Sequence, residues 1–260
     1  MMIGAPLWYG DRPYRKVIEA LHDIGFDYVE FSLDYPLLDG LDDLNVAKEI
    51  GIELAFHAPI DIFLAHPRDE IFEASLKVFE RCMKTASKFE PVYFNFHLFH
   101  STMTHIFPEV KEKIRENGLK ACKVAVELSK ELGFPVCLEN DGILDDLFLS
   151  IEGLMLTLDI GHIAVKKLRK GEDYVEEIKE FVKRFDRKIL VCHIHNVDIK
   201  TLNDHITLSS GDLNLKEIVN ILGTRKFYLI ETFWKDGYRK EKADVDSLRK
   251  DLKFLKDLLK

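Results

Sequence analysis

The chain has 260 residues, of which 47% are hydrophobic and 32% are charged, a composition typical of a globular protein. Its net charge of −8 argues against a protein whose main partner is nucleic acid, although it leaves room for a local basic patch. No basic segment followed by an apolar core begins the chain and no apolar run could span a bilayer, so we expect neither a secretory signal nor a membrane partner.

Short apolar segments alternate along the chain with longer segments of helical period. Strands that are covered by helices read as continuous apolar runs, not as alternating ones. Eight such strands are predicted, at residues 3–7, 28–31, 52–56, 92–96, 135–138, 155–158, 189–192 and 227–230.

Helices are predicted between these strands. The clearest candidates are residues 13–24, 68–89, 110–132 and 245–259, and a short or irregular helix is expected at 144–151. Eight βα alternations without a linker predict an α/β fold, a single (β/α)8 TIM barrel domain over residues 1–260. A doubly wound open sheet is the alternative, but no G-x-G-x-x-G sequence follows the first strand.

The four cysteines form no C-x-x-C pair, and each lies in an apolar strand or helix pattern. They are Cys82, Cys122, Cys137 and Cys192. We interpret them as buried free thiols of a cytoplasmic protein. Glutamine is absent while Lys and Glu are abundant, a bias that indicates a thermophilic source.

Polar side chains follow the predicted strands one after another. In a parallel barrel these positions converge on the face where active sites lie, and histidine together with carboxylate suits divalent transition metals. A lone carboxylate of this kind is often a helix cap or a solvated charge, which is how we interpret Glu30. A lone histidine is more often a residue with satisfied hydrogen bonds than a ligand, which is how we interpret His66, His100 and His105. Metal ligation is predicted for Glu139, Asp159, His193 and Glu231, and metal or substrate contacts for His57, His97, His162 and His205.

Five short motifs carry a resemblance to a known family. They are His57-Ala58-Pro59, Leu138-Glu139-Asn140, Leu158-Asp159-Ile160-Gly161-His162, Cys192-His193-Ile194-His195-Asn196 and His205-Ile206-Thr207-Leu208. In this order and spacing the chain resembles the xylose isomerase-like TIM barrels, which include sugar isomerases, ketose 3-epimerases and the endonuclease IV group.

The isomerase and epimerase branch implies one divalent metal (Mn, Zn, Co or Mg) held by Glu139, Asp159, His193 and Glu231. The resemblance also implies that the two glutamates are catalytic and move a proton next to the carbonyl of a small-molecule sugar. The metal stabilises the charge that develops on the substrate oxygens. The Glu and Arg that usually follow the seventh-strand histidine in this branch are missing, and His195, Asn196 and Val197 stand there.

The endonuclease IV branch implies instead up to three zinc ions and a phosphodiesterase that acts on abasic DNA. Its third zinc needs an aspartate where this chain has Asn203, with Asp204 as a neighbouring substitute. The segment 32–43 has four acidic and no basic residues, which would repel phosphates. The isomerase is therefore our principal hypothesis and the nuclease the alternative, followed by a non-catalytic barrel. The sequence is compatible with a homo-oligomer and does not determine the oligomeric state.

Overall fold

The computed structural model describes residues 1–34, 41–142, 144 and 146–260, and of Tyr9 only the backbone. Eight parallel strands form a closed barrel, in which the first barrel strand of the chain pairs with the last to complete the circle. This confirms the predicted (β/α)8 barrel. The barrel strands are β1 (Met2–Leu7), β2 (Tyr28–Ser32), β3 (Glu53–His57), β4 (Phe94–Leu98), β5 (Val136–Gly142), β6 (Leu154–Asp159), β7 (Ile189–Ile194) and β10 (Phe227–Ile230).

Helices surround the barrel. They are α1 (Tyr14–Asp23), α2 (Val46–Ile50), α3 (Asp69–Ala86), α4 (Pro108–Leu132), α5 (Asp146–Leu149), α6 (Ile160–Leu168), α7 (Tyr174–Phe185), α8 (Leu215–Leu222) and α9 (Val245–Leu258). The predicted helices correspond to α1, α3, α4 and α9, and the short α5 lies within the weak segment. No boundaries were predicted for α2, α6, α7 and α8. Of the acidic segment 32–43, residues 35–40 lie outside the described residues.

Two features differ from the sequence-based prediction. The fourth strand was predicted at 92–96, but β4 begins at Phe94, because its pairing with Phe56 of β3 and Val136 of β5 fixes its position. His97 therefore lies inside a strand instead of after it. The segment after β7 was not among the predicted strands, but it forms an antiparallel hairpin of β8 (Asn196–Asp198) and β9 (Asn203–Ile206).

The interior of the barrel is filled by aromatic side chains near the starts of its strands. Tyr28 packs edge-on against Tyr93 and Phe227, with ring centroids 5.8 and 5.6 Å apart. Gly4 makes room for the Tyr28 ring, since a Cβ there would lie 2.3 Å from Cζ of the tyrosine. These aromatic side chains close one end of the barrel interior. The polar interior lies at the opposite end, where the strands finish.

A second apolar layer lies between the outer face of the strands and the helices. The four cysteines are buried and free, as predicted. Among the described residues, no helix has the length and apolar character that crossing a bilayer requires.

Candidate metal centre

The predicted ligands converge at the carboxyl ends of the barrel strands. Asp159 ends β6 and pairs in register with His193 of β7, which pairs in turn with Leu229 of β10, two residues before Glu231. Glu139 reaches the same space from β5 and is 1% exposed. Potential ligand atoms of these four side chains all lie within 4.8 Å of one another. The strand register thus places one nitrogen and three carboxylates around a common point.

His193 is the centre of this group. Its Nδ1 is 3.0 Å from Oε2 of Glu231, 3.5 Å from Oε2 of Glu139 and 3.8 Å from Oδ2 of Asp159. Among the residues that the structure describes, no group lies in hydrogen-bonding geometry to either buried ring nitrogen of His193 or to the buried Oε2 of Glu231. Buried polar atoms are rarely left unpaired, so these atoms indicate a missing partner. A divalent cation fits, since imidazole nitrogen and carboxylate oxygen are ligands of Zn²⁺ and Mn²⁺.

His57 and His97 form a second group with Glu139. Their Nε2 atoms are 3.1 Å apart, and each is 3.6 Å from Oε2 of Glu139. Nδ1 of His57 lies 2.6 Å from the carbonyl oxygen of Ala58, which can only accept, so Nδ1 carries a proton. The Nε2 atom of His57 therefore can offer its lone pair to the site. Asn95 donates to Oε2 of Glu139 at 2.5 Å and orients the shared carboxylate.

The structure brings His162 and His205 to the rim of the site. Nε2 of His162 is 3.5 Å from Oε1 of Glu139, and its side chain is 21% exposed. Nε2 of His205 is 3.3 Å from Oε2 of Glu231, while its Nδ1 is 3.0 Å from Oδ1 of Asp204. Both histidines can therefore contact a metal or a substrate.

Asn203 is not placed with the other candidates. Its side-chain amide donates to the carbonyl oxygen of Gly237 at 2.8 Å, which ties the β8–β9 hairpin to the segment after β10. Asp204 faces the site instead, with Oδ2 3.6 Å from Nδ1 of His162. Arg239 donates to both the carboxylate and the backbone carbonyl of Asp204. The charge of Asp204 is thus already neutralised by an arginine.

Opposite charges stabilise one another in this buried space. Burial would lower the pKa of His193, but the carboxylates of Glu231 and Glu139 outweigh it and raise that pKa well above its usual value. Burial would likewise raise the pKa of Glu231, yet His193 and His205 hold it well below the ordinary range. For His57 the carboxylates of Glu139 and Glu30 overcome burial and raise the pKa to about 9. Protons on imidazoles therefore balance the carboxylates, and a bound cation would release them.

Three polar residues of the interior were missed or misread in the sequence. Glu30 was interpreted as a capping or solvated charge, and this is wrong. Its side chain lies inside the barrel, where the residue is 4% exposed and accepts a hydrogen bond from the hydroxyl of Tyr93. Its Oε2 is 3.7 Å from Nε2 of His193. The sequence did carry a sign of this burial, because Glu30 stands between two apolar residues of a strand that helices cover. Asn95 and Tyr93 carried no such signal, because they gain their roles from neighbouring strands.

Aromatic side chains border the opening. The rings of Trp8 and Phe233 are 5.4 Å apart, and Phe233 stacks on His205 at 5.3 Å. On the other side of the site, Phe99 stacks on His97 at 4.7 Å. Such rings present flat apolar faces next to the polar ligands, as pockets for small molecules commonly do.

The family model described as xylose isomerase-like TIM barrel matches residues 18–258. No curated protein sequence matches the chain. Solved structures with the same fold include a D-tagatose 3-epimerase-like protein at 18% identity, with a TM-score of 0.75 and coverage of 100% of this chain and 97% of the other.

Two further structures are D-psicose 3-epimerase from Clostridium cellulolyticum H10 with D-tagatose and D-allulose 3-epimerase from Methylomonas sp. The first is 14% identical, with a TM-score of 0.75 and coverage of 100% of both chains. The second is 16% identical, with a TM-score of 0.76 and coverage of 100% of this chain and 98% of the other. At these identities the similarity establishes the fold and leaves the substrate open.

Proposed function

The chain belongs to the xylose isomerase-like TIM barrel family, and on that premise we propose that it is a divalent-metal-dependent isomerase or epimerase of a sugar or sugar-like substrate. The observation that carries the proposal is the convergence of Glu139, Asp159, His193 and Glu231, whose ligand atoms lie within 4.8 Å of one another. This set combines a cation site with two carboxylates that can exchange protons.

Glu139 and Glu231 are the proposed acid and base. They enter the site from β5 and from the end of β10, which are separated in the barrel by β6 and β7, so the two carboxylates would approach a substrate bound over the site from different directions. One glutamate removes a proton from the carbon next to the carbonyl, and the other returns a proton to the same or the opposite face. A bound divalent cation would polarise the neighbouring substrate oxygens.

The rim residues supply substrate contacts in this proposal. His162 is partly exposed and its Nε2 lies 3.5 Å from Oε1 of Glu139, so it can hydrogen-bond a substrate hydroxyl beside the proton-transfer site. Trp8 and Phe233 form an apolar face against which a sugar ring can pack. Burial of the ligands at the carboxyl end of the barrel would keep bulk water from the reacting carbon.

A second candidate function is the zinc-dependent cleavage of abasic DNA. The observation in its favour is the group of His57, His97 and Glu139, which could hold a second cation. A third cation is less well supported, because Asn203 is turned toward Gly237 and Asp204 is paired with Arg239. Because Arg239 already neutralises the charge of Asp204, the carboxylate that faces this position, we favour the isomerase.

The test is proton exchange on sugars in heavy water. Protein loaded with Mn²⁺, Co²⁺, Mg²⁺ or Zn²⁺ is incubated with ketoses and aldoses, and deuterium at the carbon next to the carbonyl is measured by NMR. We expect incorporation with at least one sugar, and a loss of at least about 100-fold in Glu139→Gln and Glu231→Gln. Glu127→Gln, at an exposed position of α4, is the matched control.

A parallel assay follows cleavage of an abasic duplex by the zinc-loaded protein. Cleavage that requires His57 and His97, without exchange on any sugar, would replace the isomerase with the second candidate. Exchange that survives both glutamine substitutions would reject the assignment of acid and base.

A further inference from the structure

His195 is fully buried beside the metal centre, yet the proposed proton transfer gives it no task. Its ring connects two separate parts of the site. Nε2 lies 2.9 Å from Oδ2 and 3.1 Å from Oδ1 of Asp159, and Nδ1 lies 2.9 Å from the backbone nitrogen of His205. One imidazole thus contacts a predicted metal ligand at the end of β6 and the main chain of the β8–β9 hairpin.

These two contacts determine where the proton of the ring lies. The backbone N–H of His205 can only donate, so Nδ1 of His195 accepts and carries no proton. The neutral ring then carries its proton on Nε2 and donates it to Asp159. The reverse tautomer would point a proton at the carbonyl of Asn196, but that oxygen is 3.4 Å from Nδ1, farther than the His205 nitrogen.

The position of the ring proton also decides whether His195 binds metal. By proximity alone it could, since ligand atoms of His195, Asp159, His205 and Glu231 lie within 4.8 Å of one another. A histidine ligand must present a lone pair to the cation. Nε2 of His195 carries a proton while the His205 contact holds, so the group is a hydrogen-bond donor.

We propose that His195 is a positioning residue that fixes the carboxylate of Asp159 and the backbone at His205 together, without binding metal. The inference rests on the metal centre of the proposed function and not on the identity of the substrate. Hydrogen bonds from residues outside the ligand set orient metal ligands and raise their affinity. The second oxygen of Asp159 is also held, because Oδ1 accepts from the backbone N–H of His162 at 2.8 Å.

The conformation of His205 explains why its backbone needs support. Its φ of 54° lies in the left-handed region, which is unfavourable for a residue with a side chain. The hydrogen bond to His195 stabilises this turn, and the two rings stack at 4.0 Å with planes 14° apart. Loss of His195 should therefore release the His205 side chain from its position beside Glu231.

Gly161 provides independent support for the placement of the ring. A Cβ at this position would lie 1.9 Å from Cε1 of His195, so only glycine lets the imidazole approach the start of α6. Gly161→Ala should consequently displace His195 from Asp159 while leaving its chemistry intact. This gives a second perturbation of the same contact.

The first experiment measures Mn²⁺ affinity by chelator competition, and metal content per chain, in His195→Leu, His195→Gln and Gly161→Ala. The leucine and alanine variants should bind Mn²⁺ about 10- to 100-fold more weakly with unchanged stoichiometry. Glutamine retains an N–H donor for Asp159 and should keep most of the affinity. A loss of one metal equivalent in His195→Leu would make His195 a ligand, and unchanged affinity would remove its positioning role.

The second experiment uses the metal-free wild-type protein. Long-range ¹H–¹⁵N NMR should find the ring proton of His195 on Nε2, and the His205 amide should exchange slowly in the wild type and faster in His195→Leu. A proton on Nδ1 would overturn the proposal whether or not metal binds. Failure of the proposed function would appear differently, as wild-type protein that binds no metal or exchanges no sugar proton. Circular dichroism of each variant verifies the fold.

Discussion

Asp251 of α9 makes stability depend on pH in a way that can be calculated. Its side chain is 1% exposed, and it accepts from the backbone N–H of Leu208 at 2.9 Å and from the hydroxyl of Thr232 at 3.0 Å. Burial raises its pKa to about 7, and the two hydrogen bonds oppose this shift only in part. The carboxyl group thus fastens α9 to the residue after Glu231 and to the segment that follows His205.

The direction of the effect follows from proton uptake. An unfolded aspartate titrates near pH 4, so between about pH 4 and 7 the folded chain holds a proton that the unfolded chain has lost. The resulting stabilisation is fully present below about pH 4 and is lost as the pH rises through 7. A shift of about 3 pKa units corresponds to about 4 kcal/mol in total, of which about 2.5 kcal/mol is lost between pH 5 and 8.

Asp251→Asn tests this reasoning. Asparagine keeps an acceptor for Leu208 and a polar group beside Thr232, but has no charge to bury. Urea unfolding in chelator should show the free energy of unfolding of the variant, relative to wild type, rising by about 2.5 kcal/mol from pH 5 to 8. The exposed Asp246 of α9 is the matched control, and Asp246→Asn should leave the difference flat. A difference for Asp251→Asn that stays constant within about 0.5 kcal/mol would refute the raised pKa.

Three further predictions concern the interior and the rim. Tyr93→Phe removes the hydroxyl that donates a hydrogen bond to the buried carboxylate of Glu30. We expect urea unfolding to show a free energy of unfolding lower by about 1–3 kcal/mol. The control Tyr238→Phe, at a position 73% exposed, should have little effect. Mn²⁺ at about 100 times its Kd should stabilise the protein by about 2.7 kcal/mol, which corresponds to a rise in Tm of roughly 5–11 °C. Calorimetry should show this rise and its reversal by chelator. An unchanged Tm would contradict a preformed site. Trp8→Ala should raise KM for the sugar in steady-state kinetics without changing Mn²⁺ affinity, and an unchanged KM would remove Trp8 from the substrate face.

Much of the barrel was predictable because its strands are covered on both sides. Covered strands read as apolar runs, and the starts of β2, β7 and β10 were predicted to the residue. The start of β4 was placed two residues too early. Val92 and Tyr93 are as hydrophobic as the residues of β4 that pair with the neighbouring strands, so hydrophobicity alone cannot distinguish them. The β8–β9 hairpin was missed because its two strands are only three and four residues long and largely polar.

The central ligand set could be proposed from sequence because Asp159, His193 and Glu231 stand within one residue of the end of a strand. Glu139 lies inside β5, the neighbour of β6, so topology alone brings the four together. Contacts that depend on side-chain direction could not. Whether Asn203 or Asp204 faces the site depends on the turn of the hairpin, and in the structure Asp204 faces inward. The role of His195 likewise depends on the backbone conformation of His205, which no local pattern reveals.

The most direct test of the account is elemental analysis of metal per chain, on protein purified without chelator or affinity nickel. We predict about one divalent cation per chain in the wild type and a substantial loss in His193→Ala, which removes the nitrogen at the centre of the ligand set. Two or more tightly held Zn²⁺ ions would shift the balance toward the phosphodiesterase. Protein that holds no metal, even after soaking and desalting, would contradict the central claim that this barrel binds a divalent cation.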